Sequence, residues 1–174
     1  TTVTVTFAAG GCTLPSGITA TGAISLSATV ATGTATVDVS FDALRIGTYS
    51  IAGTASLSTR NGTSYTVMLD LVSEGRMIAG DLTVSATLTA LTISGDLLVL
   101  RSGGSTAYVL GIEGLTWNRG DCYPSAGSLT IGTGAAMQTV TFSSATASTG
   151  EVTIAFGRAT FNETLPAYGD CPAP

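Results

Sequence analysis

Apolar and polar residues alternate one by one along most of this chain, and no other feature constrains its fold as strongly. Val3, Val5 and Phe7 are separated by single threonines, and similar runs recur to the end of the sequence. Successive side chains of a β-strand point to opposite faces of a sheet, so this alternation predicts strands with one apolar and one polar face. No segment shows a capped 3.6-residue pattern long enough for a helix. We therefore expect an all-β fold.

Glycine, asparagine and serine separate the alternating runs at the short spacing typical of hairpins. The pair Asn61-Gly62 is the strongest two-residue hairpin signal. These runs predict an antiparallel meander in a single domain, residues 1–174, that closes into a sandwich or a flattened barrel. Residues 1–8 are its candidate strand-exchange segment. The predicted strands number about twelve and cover residues 2–8, 19–31, 34–45, 48–59, 63–73, 76–89, 90–101, 105–116, 126–132, 137–147, 150–157 and 158–165.

Charged residues make up only 10% of the chain, against about 25% in an ordinary soluble domain. Hydrophobic residues make up 44%, and this balance excludes intrinsic disorder. A net charge of −5 with scattered arginines argues against a nucleic-acid partner. No apolar run reaches the ~18 residues that a membrane-spanning helix needs. So few charges do little to keep a monomer dispersed, so either a serine- and threonine-rich surface does so or a partner covers part of the surface. Under our first functional hypothesis, that partner is further copies of this chain in a homopolymer.

The chain contains neither histidine nor lysine, which removes the commonest general bases. We therefore expect no catalytic residues, no enzyme activity and no cofactor. Without histidine or a Cys-x-x-Cys pair, we also expect no metal site. A paired-carboxylate hydrolase is the alternative. A simpler explanation of the same carboxylates is that Asp38, Asp42 and Asp70 lie at solvent-facing strand positions, and that Asp81 and Asp96 lie at bulge or strand-entry positions. The candidates are Asp38, Asp42, Asp70, Asp81, Asp96 and Glu113.

Three short glycine-containing turns each present a cysteine, namely Cys12, Cys122 and Cys171. In an antiparallel meander, odd strands end at one edge of the sheet and even strands at the other. Cys12 follows the first predicted strand, whereas Cys122 follows the eighth and Cys171 the twelfth. We therefore expect a disulfide between Cys122 and Cys171, with Cys12 as the odd cysteine. One missed strand before Cys122 would instead favour a bond between Cys12 and Cys122.

Five short motifs are spread over the chain, namely Val3-x-Val5-x-Phe7-x-x-Gly10-Gly-Cys12, Gly22-x-Ile24-x-Leu26, Phe41-Asp42 before Gly53-Thr54, Trp117 before Gly120-Asp-Cys122-x-Pro124-x-x-Gly127, and Gly169-Asp-Cys171. Together they resemble a group of uncharacterised bacterial exported β-rich proteins, which are lipoprotein-like envelope proteins. The resemblance covers nearly the whole chain and implies export and an envelope location, but no activity. Segment 1–7 is also similar to the donor strand of fimbrial pilins, although pilins usually have fewer strands and place their cysteines differently.

Our first functional hypothesis is a structural subunit of an extracellular filament, a pilus-like fibre or a surface layer, located outside the bacterial cell or at its surface. The start of the chain has no basic region, and we expect Thr1 to be a mature N-terminus. The alternative is a monomeric envelope module that binds a glycan or a small apolar ligand through Tyr108, Trp117 and Tyr123. In the first hypothesis the assembly strand comprises Thr2, Val3, Thr4, Val5, Thr6 and Phe7.

Overall fold

The computed structural model describes residues 1–13, 18–101, 106–134 and 136–166. They form β-strands and one four-residue helix, so the prediction of an all-β antiparallel meander is confirmed. The elements are β1 (Thr2–Thr13), β2 (Thr19–Ala31), β3 (Thr34–Ile46), β4 (Tyr49–Thr59), β5 (Ser64–Ser73), β6 (Arg76–Ala86), β7 (Ala90–Arg101), β8 (Thr106–Asn118), β9 (Ala126–Thr133), β10 (Ala136–Phe142), α1 (Thr146–Thr149), β11 (Glu151–Phe156) and β12 (Ala159–Thr164).

The twelve strands pair in sequence order, from β1 at one end of the sheet to β12 at the other. The pairings from β1 to β5 and from β8 to β12 are all antiparallel. The sheet is open, because no pairing among the described residues joins β1 to β12. The expected closure of the sheet is therefore not found, and β1 and β12 are both edge strands.

Two-residue turns join several of the hairpins. Thr32 and Gly33 connect β2 to β3, and Glu74 and Gly75 connect β5 to β6, all four with positive φ. Two successive positive φ values give the turn whose twist matches that of paired strands. The Asn61-Gly62 hairpin differs from its prediction, because four residues, 60–63, separate β4 from β5.

The chain divides into two compact units. Unit 1 comprises Thr1–Asp81 and Leu98–Thr106, and unit 2 comprises Leu82–Leu97 and Ala107–Pro174. In unit 2, Leu115, Phe142 and Val152 form a buried cluster, against which partly buried side chains of β8 to β11 pack. These side chains alternate with polar ones along each strand, so one face of the strands forms the core of unit 2.

In unit 1, cross-strand pairs place the apolar residues of five strands in two continuous rows on one face. None of the residues in these rows is fully buried, since the buried hydrophobic residues in the described part of unit 1 are Ala20, Leu44 and Val99. The sheet face of β1 to β5 is thus only half-covered. Its two apolar rows are Val3–Leu26–Val39–Ala55–Leu69 and Val5–Ile24–Phe41–Gly53–Leu71.

Each unit contains a β-bulge opposite a glycine. In β3 the register shifts between Phe41 and Leu44, where Ala43 has φ 45°. A Cβ on Gly22, in the facing strand, would lie 2.4 Å from the Ala43 carbonyl oxygen. In β8 the register shifts after Glu113, and a Cβ on Gly127 would lie 2.5 Å from the Gly114 carbonyl oxygen. Only glycine, which has no Cβ, can lie this close to the backbone of the facing strand. Each bulge also turns the leucine that follows it, Leu44 or Leu115, toward the core.

The predicted strand 137–147 ends early, at Phe142, and α1 follows it. Thr146 is fully buried there, and its side chain hydrogen-bonds to the backbone groups that strand pairing would otherwise use. Its hydroxyl accepts a hydrogen bond from the Ser143 amide (2.9 Å) and donates one to the Glu151 carbonyl (2.6 Å). Such local hydrogen bonds from side chains to the backbone compete with strand pairing. The predicted strand 137–147 is therefore wrong for residues 143–147.

Candidate functional site

The predicted assembly strand is the regular first half of β1, and it pairs with β2 of the same chain. Thr1 and Ala28 exchange two backbone hydrogen bonds, at 2.9 and 3.0 Å. Hydrogen-bonded and non-hydrogen-bonded pairs alternate along an antiparallel ladder, so Val3, Val5 and Phe7 turn their backbone groups toward β2. The N–H and C=O groups of Thr2, Thr4 and Thr6 therefore point outward, along the open edge of the sheet.

The opposite edge of the sheet, β12, has the same arrangement. Its six residues are all exposed, and a two-residue turn at Gly157 and Arg158 joins it to β11. The Leu165 amide donates to the Gly150 carbonyl at 2.9 Å, so Leu165 and Gly150 form a hydrogen-bonded pair of the ladder between β12 and β11. By the same alternation, the backbone groups of Thr160, Asn162 and Thr164 point outward. Both edges thus present polar residues at the positions where backbone groups are open to pairing.

Within the described residues, neither Thr2–Phe7 nor β12 carries lysine, proline or several charged side chains, although the register of β1 shifts between Phe7 and Cys12. Exposed edge strands are commonly blocked by lysine, proline or several charged side chains. Segment Thr2–Phe7 contains none of these, and β12 contains a single charged residue, Glu163. Val3 and Val5 on the edge are 56% and 46% exposed, so apolar side chains also lie beside the open backbone groups. Each edge is a ready template for another strand.

A groove of about 590 Å³ lies on the polar face of unit 1. We call it the polar groove and define it by Ser25, Asp38, Ser40, Thr54, Asp70 and Asp81, which line it with neighbouring residues. Cross-strand pairing builds its floor, since Ser25, Ser40, Thr54 and Asp70 form one row across β2 to β5. A second row contains Asp38, between Ser27 and Ser56.

The other carboxylates singled out in the sequence lie elsewhere. Asp96 and Glu113 line a separate depression of about 340 Å³ in unit 2. Asp42 lies on β3 next to the bulge and does not line the polar groove. Among the described residues, no group of three or more His, Cys, Asp or Glu side chains could hold a metal ion.

The aromatic residues of the alternative hypothesis do not form one exposed cluster. Trp117 and Tyr123 line an apolar depression of about 360 Å³ in unit 2, but Tyr123 is only 4% exposed. The Tyr123 hydroxyl donates to the Pro166 carbonyl at 3.3 Å, and the ring lies against Gly150. Tyr108 lies nine residues before Trp117 on β8, about 30 Å along the strand. Tyr123 and Trp117 thus pack at the core of unit 2, away from Tyr108.

The tripeptide Arg119-Gly120-Asp121 lies in the turn after β8, where the Asp121 carboxylate has a structural role. It accepts hydrogen bonds from the Asn118 amide (2.8 Å) and the Asn118 side chain (3.1 Å). The Asn118 amide, together with hydrogen bonds to the side chains of Ser125 and Asn118, lowers the pKa of Asp121 from its usual value. This carboxylate is therefore held within its own turn.

Of the three cysteines with predicted roles, Cys12 and Cys122 lie within the described residues and Cys171 does not. Cys12 is a free, exposed thiol near the end of β1. Cys122 lies half-buried in the turn that follows β8. Cys171 lies outside the described residues, so the bond between Cys122 and Cys171 stays a prediction.

Comparison of the chain with protein-family models, curated proteins and solved structures finds no match. Within the described ranges, no helix has the length and apolar character needed to cross a membrane. Any function therefore has to be argued from the strands, edges and grooves of this chain itself.

Proposed function

We propose that this chain is a structural subunit that polymerises with copies of itself by pairing sheet edges, β1 of one copy against β12 of the next. The observation that carries the proposal is the pair of unprotected edges at the two ends of one open sheet. Such edges add strands from other chains unless they are blocked. The role is structural rather than catalytic.

The two edges are matched in length and pattern. The regular part of β1, Thr2–Phe7, and the whole of β12 are each six residues long. When the outward backbone groups of the two edges pair, Thr2, Thr4 and Thr6 of one copy lie opposite Thr160, Asn162 and Thr164 of the next. Apolar residues of β1 then fall beside Ala159 and Phe161 on the other face. With all six residues overlapped, edge pairing joins polar to polar on one face and apolar to apolar on the other, except that Val3 falls beside Glu163.

The even number of strands also favours head-to-tail addition. In an antiparallel meander, β1 and β12 run in opposite directions. A second copy in the same orientation therefore sets its β1 antiparallel to β12 of the first copy. The meander continues without a break, and a heterologous contact of this kind builds an open polymer.

Burial and charge support the same proposal. The apolar face of unit 1 is only half-covered, with Leu26 36% exposed and Val30 81% exposed. A sheet normally buries its apolar face against a further layer. With charged residues at 10%, the chain also has little charge to keep copies apart. Pairing of the edges leaves this face uncovered, so the exposed surface favours further face-to-face contacts between polymers.

Edge addition differs from the strand exchange of pilins, because β1 keeps its pairing with β2 of its own chain. The proposed location is outside the bacterial cell or at its surface. Support for that location comes from the resemblance to exported envelope proteins.

Electron microscopy of the purified chain tests the proposal. We expect filaments or sheets with a regular subunit repeat. The Thr4→Pro variant removes one outward N–H from β1 while leaving its pairing with β2 intact, so polymers should be lost. Thr4→Val is the matched control, since it keeps the N–H and should still polymerise. A wild-type chain that stays monomeric at high concentration would contradict the proposal.

A further inference from the structure

The polar groups of the polar groove have unused hydrogen-bonding capacity. Within the described part of the chain, the side chains of Asp38, Ser40, Thr54, Asp70 and Asp81 make no hydrogen bond or ion pair. Of the residues that define the groove, Ser25 does form a hydrogen bond, with the Thr4 hydroxyl at 3.0 Å. The floor of the groove therefore offers donors and acceptors to a molecule from outside.

The spacing of the carboxylates indicates the size of that molecule. Asp38 lies on β3 and Asp70 lies two strands away, on β5. The β5 residue in the same cross-strand row as Asp38 is Met68, and Asp70 is two residues further along the strand. At about 4.8 Å between strands and about 6.7 Å between alternate residues, their Cα atoms are about 12 Å apart. A single ion could not bridge groups so far apart. An extended ligand with several polar groups could contact both, and the volume of about 590 Å³ is typical of ligand sites.

The charge of the groove indicates its chemistry. It is lined by three carboxylates and by no arginine, so a phosphate or an acidic polysaccharide would be repelled. Carboxylates accept hydrogen bonds from hydroxyl groups, and serine and threonine hydroxyls both donate and accept them. A ligand rich in hydroxyls and free of negative charge matches these groups.

We propose that the polar groove binds a neutral oligosaccharide that lies across β2 to β5, with Asp38 and Asp70 accepting hydrogen bonds from sugar hydroxyls. Met68, 56% exposed and lining the same groove, supplies an apolar contact for a sugar ring. The site is contained in unit 1 and does not depend on the proposed polymerisation. Each copy in a polymer would carry one such site.

Isothermal titration calorimetry with cellohexaose, maltohexaose and N-acetylchitohexaose tests the inference. We expect at least one of these neutral sugars to bind, with one site per chain. The double variant Asp38→Asn, Asp70→Asn should weaken binding by about tenfold or more, because hydrogen bonds to charged groups are the stronger ones. Both side chains are exposed and unpaired, so the variant should fold normally.

Asp42→Asn is the matched control, because it removes the same charge from the same strand outside the groove. It should bind like the wild type. Failure of all three sugars to bind would overturn the inference, and so would equal weakening by the control. Binding of oligolysine without binding of any sugar would also overturn it, because charge alone would then explain the groove.

Discussion

Glu74 shows how a single exposed side chain can join two hairpins. It lies in the turn between β5 and β6, and its carboxylate accepts hydrogen bonds from the Ser50 amide (2.9 Å) and the Ser50 hydroxyl (3.0 Å). The Ser50 amide, then the Ser50 hydroxyl and the Arg45 charge, lower the pKa of Glu74 below its ordinary value of 4.5. The charged form therefore stabilises the fold at this position.

We predict that Glu74→Gln lowers the free energy of unfolding at pH 7 but much less at pH 3. A carboxyl group with a depressed pKa contributes stability above its unfolded-state pKa, and this is lost as the pH falls through the folded-state value. Glutamine suits the same turn but cannot titrate. Urea denaturation at both pH values measures the difference. Glu163→Gln is the control, and an equal pH dependence in both variants would contradict the role of Glu74.

Sequence alone does not reveal a contact of this kind. Ser50 lies 24 residues before Glu74 in the sequence, and the two meet only because the strand register brings them together. The polar groove is similar, since Asp38 and Asp70 read as separate solvent-facing carboxylates. Registers, which depend on bulges and turn lengths, bring such residues together.

At the scale of elements, the strands followed closely from the alternation, whereas the bulges were missed. The predicted strand 34–45 contains no bulge, yet its alternation changes phase between Phe41 and Leu44. The same slip occurs where Ile112 is followed by Leu115. A one-residue change of phase is the sequence signal of a bulge, and it could have located both.

We predict that Gly22→Ala destabilises the chain by about 3 kcal/mol, because a methyl group there meets the Ala43 backbone and the φ of 93° disfavours a side chain. Gly33→Ala is the matched control. Its φ is 78°, but nothing lies within 4 Å of the added Cβ, so we expect a loss of about 1 kcal/mol. Equilibrium urea denaturation measures both, and equal losses would show that the bulge tolerates a side chain.

For the molecule as a whole, the sequence predicted the meander but not its open ends. Alternation determines which residues share a face, whereas closure depends on the twist summed over all the strands. The half-buried apolar face of unit 1 and the two free edges are therefore findings of the structure. They raise the question of which edges join in an assembly.

The proposed contact joins β1 to β12, whereas a closed dimer would join β1 to β1. Two single-edge variants distinguish these arrangements. Thr4→Pro blocks β1 and leaves β12 open, and Asn162→Pro blocks β12 and leaves β1 open, because both positions turn their N–H groups outward. In heterologous assembly, each variant alone has no partner for its open edge.

We expect each variant to be monomeric alone and an equimolar mixture to form a one-to-one dimer that grows no further. Sedimentation velocity measures all three samples, and Thr4→Val mixed with Asn162→Thr should still form long polymers. If Asn162→Pro dimerises alone, β1 pairs with β1 and the head-to-tail arrangement is wrong. If Thr4→Pro dimerises alone, β12 pairs with itself. If only one edge pairs with its own kind, the assembly closes after two copies, whereas β1-to-β12 pairing always leaves one edge of each kind open for the next copy.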